Sequence, residues 1–219
     1  MSKINITIDG PAAAGKSTIA KIVANRLNYK YLDTGAMYRA VTLYSLNLSE
    51  SLTKSNITDA KINFSESGDV FLNDTNVSKD IRNSEVTNKV SSIASIDFVR
   101  DYLVDMQREI ATDKGIVMDG RDIGTVVIPD AELKIYLTAS PEIRAKRRLI
   151  EEEARGNNIT LDNLIKEIIA RDESDMNREH SPLKKAESAI EINTDNMTID
   201  EVASAILNYA RERINDNVL

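Results

Sequence analysis

The stretch DGPAAAGKST (9–18), which directly follows INITI (4–8), is the strongest indication of fold in this chain. Residues 4–8 alternate apolar and polar side chains and run into Asp9-Gly10, a pattern typical of a strand followed by a turn. From Lys16 to Leu27 the apolar residues recur at helical spacing, which predicts a helix. Residues 10–17 fit G-x-x-x-x-G-K-[ST] between that strand and that helix, the context that a phosphate-binding loop requires.

The residue types of this loop suit the phosphates of a nucleotide. Gly10 and Gly15 allow backbone conformations closed to residues with a Cβ, so successive N–H groups can point at phosphate oxygens. The start of the helix adds further N–H groups and a positive dipole end. Lys16 can reach the β- and γ-phosphates, and the Ser17 hydroxyl can bind Mg²⁺. The predicted ATP-binding residues are Gly10, Pro11, Ala12, Ala13, Ala14, Gly15, Lys16, Ser17 and Thr18.

The rest of the chain alternates between short apolar runs and helical patterns. Further strands are predicted at 29–32, 116–119, 133–139 and 189–193. Helices are predicted at 36–48, 84–95, 97–112, 141–154, 161–179 and 198–213. This order indicates an α/β fold, an open and mostly parallel sheet with helices on both faces. Residues 61–80 read instead as an inserted β-hairpin with its turn at Ser67-Gly68.

Composition narrows the classes of function. A chain of 219 residues suits one domain. Its net charge of −7 argues against nucleic acid as a partner, and it has no apolar run long enough to span a membrane. It has no cysteine for disulfides or thiolate metal sites, and its N-terminus lacks a signal-peptide pattern. A cytoplasmic protein is expected.

Besides the Ser17 hydroxyl, an acidic residue at the end of another strand is expected to help bind the metal ion. Asp119 follows the apolar run of GIVMD (115–119), so Ser17 and Asp119 are the predicted Mg²⁺ ligands. A GTP-dependent switch is an alternative of another class, yet NKVS (88–91) lacks the aspartate of N-K-x-D, and D-x-x-G does not occur. The nearer alternative is another small-molecule kinase on the same scaffold, acting on AMP, UMP, shikimate or gluconate.

Three stretches together resemble the bacterial cytidylate kinase family: IDGPAAAGKST (8–18), YLDTGAMYRAV (31–41) and DGRDIGTVVIPDA (119–131). The similarity continues through ARDESDMNRE (170–179) and SPLKKA (181–186), so it covers nearly the entire chain in order. Many NTPases share the phosphate loop, whereas the second and third stretches are far more specific to this family.

The resemblance implies a nucleoside monophosphate kinase of one domain, 1–219, that transfers a phosphate from ATP to CMP or dCMP. Its five-stranded parallel core would comprise about 1–35, 113–150 and 161–219. A monophosphate-binding region enlarged by the hairpin would comprise about 36–112, and a short lid about 151–160. The partners implied are ATP with Mg²⁺ and CMP or dCMP, without nucleic acid or membrane, and a monomer is expected.

The resemblance also implies the CMP-binding residues. They are Thr34, Tyr38, Arg39, Ser91, Arg100, Arg121, Asp122, Arg171, Asp175 and Arg178. Arg39, Arg121 and Arg178 would hold the phosphate, Ser91, Arg100 and Asp122 the cytosine, and Arg171 and Asp175 the ribose. Thr34, where some relatives have serine, and Tyr38 would line the pocket. For Arg100 a surface salt bridge is the alternative.

The acceptor of this reaction is itself a phosphate, mostly dianionic at neutral pH, so no general base is needed. A chain with one histidine, His180, can therefore carry it. The repulsion between two anions must be cancelled, which arginine does well because its fork binds phosphate oxygens bidentately. The arginines available are Arg144, Arg148, Arg155, Arg171 and Arg178, while Arg147 is expected to face solvent. The predicted catalytic residues are Lys16, Arg148, Arg155, Arg171 and Arg178.

Overall fold

The computed structural model describes residues 3–65, 68–154 and 156–216. The strands are β1 (Asn5–Asp9), β2 (Lys30–Asp33), β3 (Ile62–Phe64), β4 (Val70–Leu72), β5 (Thr75–Asn76), β6 (Ile116–Gly120), β7 (Leu133–Thr138) and β8 (Ile190–Asn193). The helices are α1 (Lys16–Leu27), α2 (Thr34–Asn47), α3 (Ser84–Ile93), α4 (Asp97–Ala111), α5 (Pro141–Ala154), α6 (Leu161–Met176) and α7 (Ile199–Asp216). The chain divides into two compact units, Met1–Tyr31 with Asp113–Leu219 and Leu32–Thr112.

Five strands form one sheet in the order β2-β6-β1-β7-β8. The buried strand β1 lies at its centre and pairs in parallel with β6 and β7, and β7 pairs in parallel with β8. Apolar side chains of β1, such as Ile6 and Ile8, are fully buried in one core with Val23 of α1 and Ile206 of α7. The predicted α/β fold, a five-stranded parallel sheet flanked by helices, is confirmed.

Local sequence signals placed most elements within one or two residues, and the helix predicted from Lys16 to Leu27 has those bounds. The helix predicted at 161–179 was wrong at its end, because α6 stops at Met176. Asn177 leaves helical geometry at ψ 8° while its N–H donates to the carbonyl of Glu173. Asparagine competes for backbone hydrogen bonds and is common at such ends.

The second unit contains a small antiparallel sheet in the order β3-β4-β5. Residue 62 pairs with 72 and residue 64 with 70, as expected for the predicted hairpin. Gly68 of its turn has φ 85°, whereas Ser67 lies outside the described residues. Sequence analysis missed β5, whose two exposed residues follow Asn73 and Asp74 at φ 48° and 65°. Two positive φ values in succession match a type I′ turn, which joins β4 to β5.

None of the helices within the described ranges combines the length and the apolar character that crossing a bilayer demands.

Candidate active site

The loop between β1 and α1 has a backbone that requires glycine at two points. Gly10 has φ 150°, and a Cβ there would lie 2.0 Å from the carbonyl oxygen of Leu137 on β7. Gly15 precedes α1 at φ 86° in the left-handed region and provides no side-chain cap for the N–H groups of the first turn. Those N–H groups, together with the helix dipole, make an anion-binding site at the carboxyl end of β1.

Lys16 is buried at this loop, with 5% of its surface exposed. Its Nζ donates a hydrogen bond to the carbonyl oxygen of Pro11 at 2.7 Å. Burial, and then the charge of Arg121, lower the pKa of Lys16, although Asp119 and Asp9 oppose the change. An anion entering the loop would remove this penalty on the charged form, because opposite charges favour ionisation.

A hydroxyl and a carboxylate meet where β1 and β6 end. Asp119, 4% exposed on β6, accepts a hydrogen bond at Oδ2 from the Ser17 Oγ at 2.8 Å. Its Oδ1 accepts another from the Tyr31 hydroxyl, also at 2.8 Å. Sequence analysis did not identify Tyr31, because only the pairing of neighbouring strands brings it to Asp119.

Hard oxygen ligands suit Mg²⁺, which usually takes one or two protein ligands and completes its shell with water and substrate phosphates. The Ser17 hydroxyl and the Asp119 carboxylate fit this pattern. In the described ranges no group of three or more His, Cys, Asp or Glu side chains could hold a metal by itself. The Ser17 hydroxyl and the Asp119 carboxylate therefore fit an ion that arrives with a nucleotide.

A cluster of arginines surrounds Asp175 at the end of α6. The Nε of Arg121 donates to Asp175 Oδ2 at 3.0 Å, and the Nε of Arg178 donates to the Asp175 carbonyl oxygen at 3.3 Å. Burial would raise the pKa of Asp175, but the charges of Arg121, Arg178 and Arg171 outweigh burial and lower it. Asp175 is thus ionised and shared among several cations.

Arg171 has a buried donor that the described residues leave without a hydrogen bond. Its Nε is buried and makes no hydrogen bond to any of the described residues. Burial and the neighbouring charge of Arg121 lower the pKa of Arg171 to about 10, against the opposing pull of Asp175. Arg171 and Arg121 also lower the pKa of Lys16, so the structure brings these three cations together. Such a cluster is a binding site for anions.

Arg144 has a different role from the anion binding that its sequence position suggested. Its Nε donates to the carbonyl oxygen of Ala139 at 2.9 Å and its Nη1 to that of Ala12 in the phosphate loop at 3.1 Å. Its Nη2 lies 2.6 Å from Oδ2 of Asp172. All three guanidinium nitrogens contact protein groups, so Arg144 stabilises the phosphate loop.

The prediction that Arg147 faces solvent was wrong. It donates from Nη1 and Nη2 to the hydroxyl and the carbonyl oxygen of Thr194, at 3.0 and 2.8 Å. Arg148, predicted to be catalytic, forms ion pairs with Glu151 at 3.0 Å and Glu152 at 2.5 Å. These pairs lie at (i, i+3) and (i, i+4) spacing on α5 itself, so the helix register creates them.

Within the predicted lid, α5 continues to Ala154, and Gly156 then takes φ 80°. The predicted catalytic residue Arg155 lies outside the described residues.

Asp122 is buried, with 4% exposed, and stands immediately before a short π-helix, Ile123–Val127. Its carbonyl oxygen accepts a hydrogen bond from the N–H of Val126 at 2.9 Å. Short π-helical segments are rare and are frequently found at functional sites. The structure therefore gives Arg121 and Asp122, adjacent in sequence, a fixed and unusual backbone support.

In the second unit, Arg100 lies on α4 and is buried, with 4% exposed, so the alternative of a surface salt bridge is wrong. Its guanidinium carbon lies 5.4 Å from the centre of the Tyr38 ring, and its Nη1 donates to the carbonyl oxygen of Ala94 at 3.3 Å. A cation over an aromatic face is a stable arrangement that fixes both side chains.

The other predicted residues of this unit lie on neighbouring helices. Thr34 is the first residue of α2 and is buried, and Ser91 is half-buried on α3. Arg39 donates from Nη1 to the carbonyl oxygen of Ile81 at 3.1 Å and to the Thr87 hydroxyl at 3.0 Å. These bonds fix one end of the Arg39 guanidinium group.

Parallel strands around a glycine-framed loop, with a buried lysine and a serine paired to a strand-end aspartate, define a P-loop kinase. Two solved structures share this fold over nearly their whole length. A gluconokinase from Sinorhizobium meliloti has a TM-score of 0.53 at 12% identity, covering 99% of this chain and 96% of that one. A shikimate kinase from Bacteroides thetaiotaomicron has a TM-score of 0.50 at 15% identity, covering 96% and 99%.

Sequence comparison identifies the family. The family model for cytidylate kinase matches residues 6–212. The cytidylate kinase of Listeria welshimeri is 53% identical over 98% of this chain and 99% of its own length. That of a Geobacillus species is 51% identical over 97% and 99%, and that of Bacillus pumilus is 50% identical over 95% and 96%. The chain belongs to the cytidylate kinase family, and the resemblance seen in its motifs is confirmed.

Proposed function

We propose that this enzyme transfers the γ-phosphate of ATP to CMP or dCMP, giving ADP and CDP or dCDP. Membership of the family supports the reaction. The observation that carries the site assignment is the cluster of arginines around Asp175, where the buried Arg171 Nε makes no hydrogen bond to the described residues. A phosphate monoester provides oxygen acceptors for those donors and the opposite charge.

The donor triphosphate is proposed to bind in the loop from Gly10 to Thr18. The N–H groups at the start of α1 bind its phosphate oxygens, and Lys16 exchanges the Pro11 carbonyl for a β- or γ-phosphate oxygen. Since an acceptor phosphate is already mostly dianionic, the protein has no proton to remove. Its contribution is to orient both reactants in line and to neutralise their charge.

Ser17 and Asp119 are the proposed protein ligands of Mg²⁺, which when bound with ATP neutralises phosphate charge. Tyr31 orients the Asp119 carboxylate through its hydroxyl. A carboxylate oxygen that accepts such a bond keeps its remaining lone pairs directed, which is how partners beyond the ligands tune a metal site.

The acceptor is proposed to contact three groups of residues. Arg39, Arg121 and Arg178 bind its phosphate, and Arg171 and Asp175 its ribose. Ser91, Arg100 and Asp122 bind cytosine, with Thr34 and Tyr38 lining the pocket. A buried carboxylate such as Asp122 accepts from the exocyclic amine of cytosine and repels the carbonyl that uracil has there.

Arg148 requires a change of partner before it can act. Arg148 is paired with Glu151 and Glu152, so it contacts phosphate only after releasing at least one of them. We propose that closure of residues 151–160 drives this exchange and brings Arg148 and Arg155 to the transferred phosphate. Closure also excludes water, which competes with the acceptor.

An acceptor panel tests the proposal. Release of ADP from ATP with Mg²⁺ is followed with CMP, dCMP, UMP, AMP, shikimate and gluconate, and with no acceptor as the background. CMP or dCMP should give the highest kcat/KM. Preference for any other acceptor, or ATP turnover that no acceptor increases, contradicts the proposal. A monomeric state and a cytoplasmic location belong to the same proposal, and light scattering and cell fractionation test them.

A further inference from the structure

One buried carboxylate, Asp9, stands outside every role described so far. It is the last residue of β1 and directly precedes Gly10, with 4% of its surface exposed. Its Oδ1 accepts the backbone N–H of Ile123 at 2.9 Å, and its Oδ2 accepts that of Gly124 at 2.8 Å. The two bonds bridge 114 and 115 residues of sequence.

The Asp9 carboxylate acts as an N-terminal cap for the π-helix, although it is distant from that helix in sequence. Ile123 and Gly124 begin the π-helix, so their N–H groups are among those a helix leaves unsatisfied at its start. A carboxylate that accepts both orients the peptide planes there. Arg121 and Asp122, the residues proposed to bind phosphate and cytosine, immediately precede these two amides in the same turn.

We infer that Asp9 is a positioning residue that fixes the Arg121–Asp122 turn relative to the phosphate loop. This inference rests on the proposed roles of Arg121 and Asp122. The carboxylate is joined covalently to the loop that binds the donor phosphates and by two hydrogen bonds to the turn that binds the acceptor. A small displacement of either reactant costs much of the rate in phosphoryl transfer, so such a link has a direct effect on catalysis.

Two further observations support a functional reason for a charge at this position. Burial raises the pKa of Asp9 to about 6, and the nearby charge of Asp122 raises it further, so the ionised form is retained at a cost in stability. The turn also packs closely on β1. A Cβ added at Gly124 would lie 2.9 Å from Thr7 Oγ1 and 3.3 Å from Asp9 Oδ2, so only glycine lets the turn approach the carboxylate.

The first test is Asp9→Asn in the full-length enzyme. The amide keeps one acceptor and presents an N–H group to one of the two backbone donors, so one hydrogen bond is lost. The KM for CMP should rise about tenfold, the value of one charge-assisted hydrogen bond, and the KM for ATP by less than about threefold. The ratio of kcat/KM between CMP and UMP should fall, because Asp122 loses its orientation.

Gly124→Ala provides a second variant, in which the turn is displaced while Asp9 is kept. It should shift the KM for CMP and the CMP to UMP ratio in the same direction, and it decides the question if Asp9→Asn does not fold. Glu132→Gln is the matched control. Glu132 also accepts a backbone N–H of β1, that of Asn5 at 2.8 Å, but at the opposite end of the strand, so it should leave both KM values unchanged.

Hydrogen exchange of the Ile123 and Gly124 amides gives a readout independent of activity. Their protection should fall in Asp9→Asn and persist in Glu132→Gln. If the wild-type enzyme phosphorylates no monophosphate, the proposed function fails, while the exchange experiment still tests the link itself. The inference is overturned if both variants of the link keep the wild-type KM for CMP, if both KM values rise equally, or if the amides stay protected without the Asp9 charge.

Discussion

The charge of Asp9 should make the stability of the protein depend on pH in a direction unusual for a carboxylate. Its pKa rises from an ordinary value of 3.8 to about 6, so the folded state holds the proton more tightly than the unfolded chain does. The contribution of Asp9 to the free energy of unfolding is therefore most favourable below about pH 4, and it falls as the pH rises through about 6. A pKa difference of about two between the folded and unfolded states corresponds to about 3 kcal/mol when the group is fully ionised.

Burial has the largest effect on the pKa of Asp9, and the charged groups around it have smaller effects. Asp122 raises this pKa and Lys16 lowers it, while Asp9 in turn raises the pKa of Tyr136. Tyr136 is neutral at physiological pH, so it does not titrate near pH 6. Burial lowers the pKa of Lys16 to about 7, and the charge of Asp9 opposes that change, so the ionisation of Lys16 also responds to the loss of Asp9. Asp9→Asn removes the titration and leaves a neutral side chain of the same shape.

The assay is chemical denaturation of wild type and Asp9→Asn at several pH values. Subtracting the variant from the wild type, we expect the titration of Asp9 to lower the difference in unfolding free energy by about 1.3 kcal/mol between pH 5 and pH 7. A difference that stays constant or grows across that range would refute the reasoning. Glu132→Gln is a control of opposite sign, because Lys114 and the Asn5 N–H outweigh burial and lower the pKa of Glu132. Its stabilising contribution should disappear only at acid pH.

Four further substitutions test the proposed reaction. Lys16→Ala should lower kcat by at least about a hundredfold, and near-normal turnover would contradict the loop assignment. Asp122→Asn should reduce the preference for CMP over UMP by about tenfold in kcat/KM, and an unchanged ratio excludes base reading by this carboxylate. Tyr31→Phe should raise the Mg²⁺ concentration for half-maximal rate about tenfold, since Asp119 loses its second hydrogen bond; an unchanged Mg²⁺ requirement would remove that role. His180→Gln should change kcat by less than about twofold, whereas a hundredfold loss would indicate a proton-transfer group.

The fold could be predicted from sequence because its signals are local. The phosphate loop, the helical spacing after Lys16 and the alternation of strands and helices each act over about 10 residues. The errors arose where the signal was weak or depended on distant contacts. Strand β5 has two residues and is defined only by pairing with β4. The end of α6 depends on how Asn177 leaves the helix.

The site could be predicted by residue type more readily than by role. Arginines near the phosphate loop indicate an anion, but their partners are fixed by tertiary contacts. Arg144 bonds Ala12, 132 residues away in sequence, and therefore supports the loop instead of contacting substrate. Asp9 reads in the sequence as a turn residue after a strand, and nothing within ten residues of it indicates that its carboxylate binds two amides beyond position 120.

The balance of charge around Asp175 bears on which acceptor the enzyme can select. Arg121, Arg171 and Arg178 all act on this one ionised carboxylate, while Asp172 is taken by Arg144. Three guanidinium groups act on this carboxylate, and a phosphate monoester dianion offers them more opposite charge than a carboxylate monoanion does. An acceptor such as shikimate or gluconate would leave part of this buried charge uncompensated, at a cost that grows in the low dielectric of the site. Under the proposed assignment, selection for a monophosphate begins with the charges around Asp175, before any group reads the base.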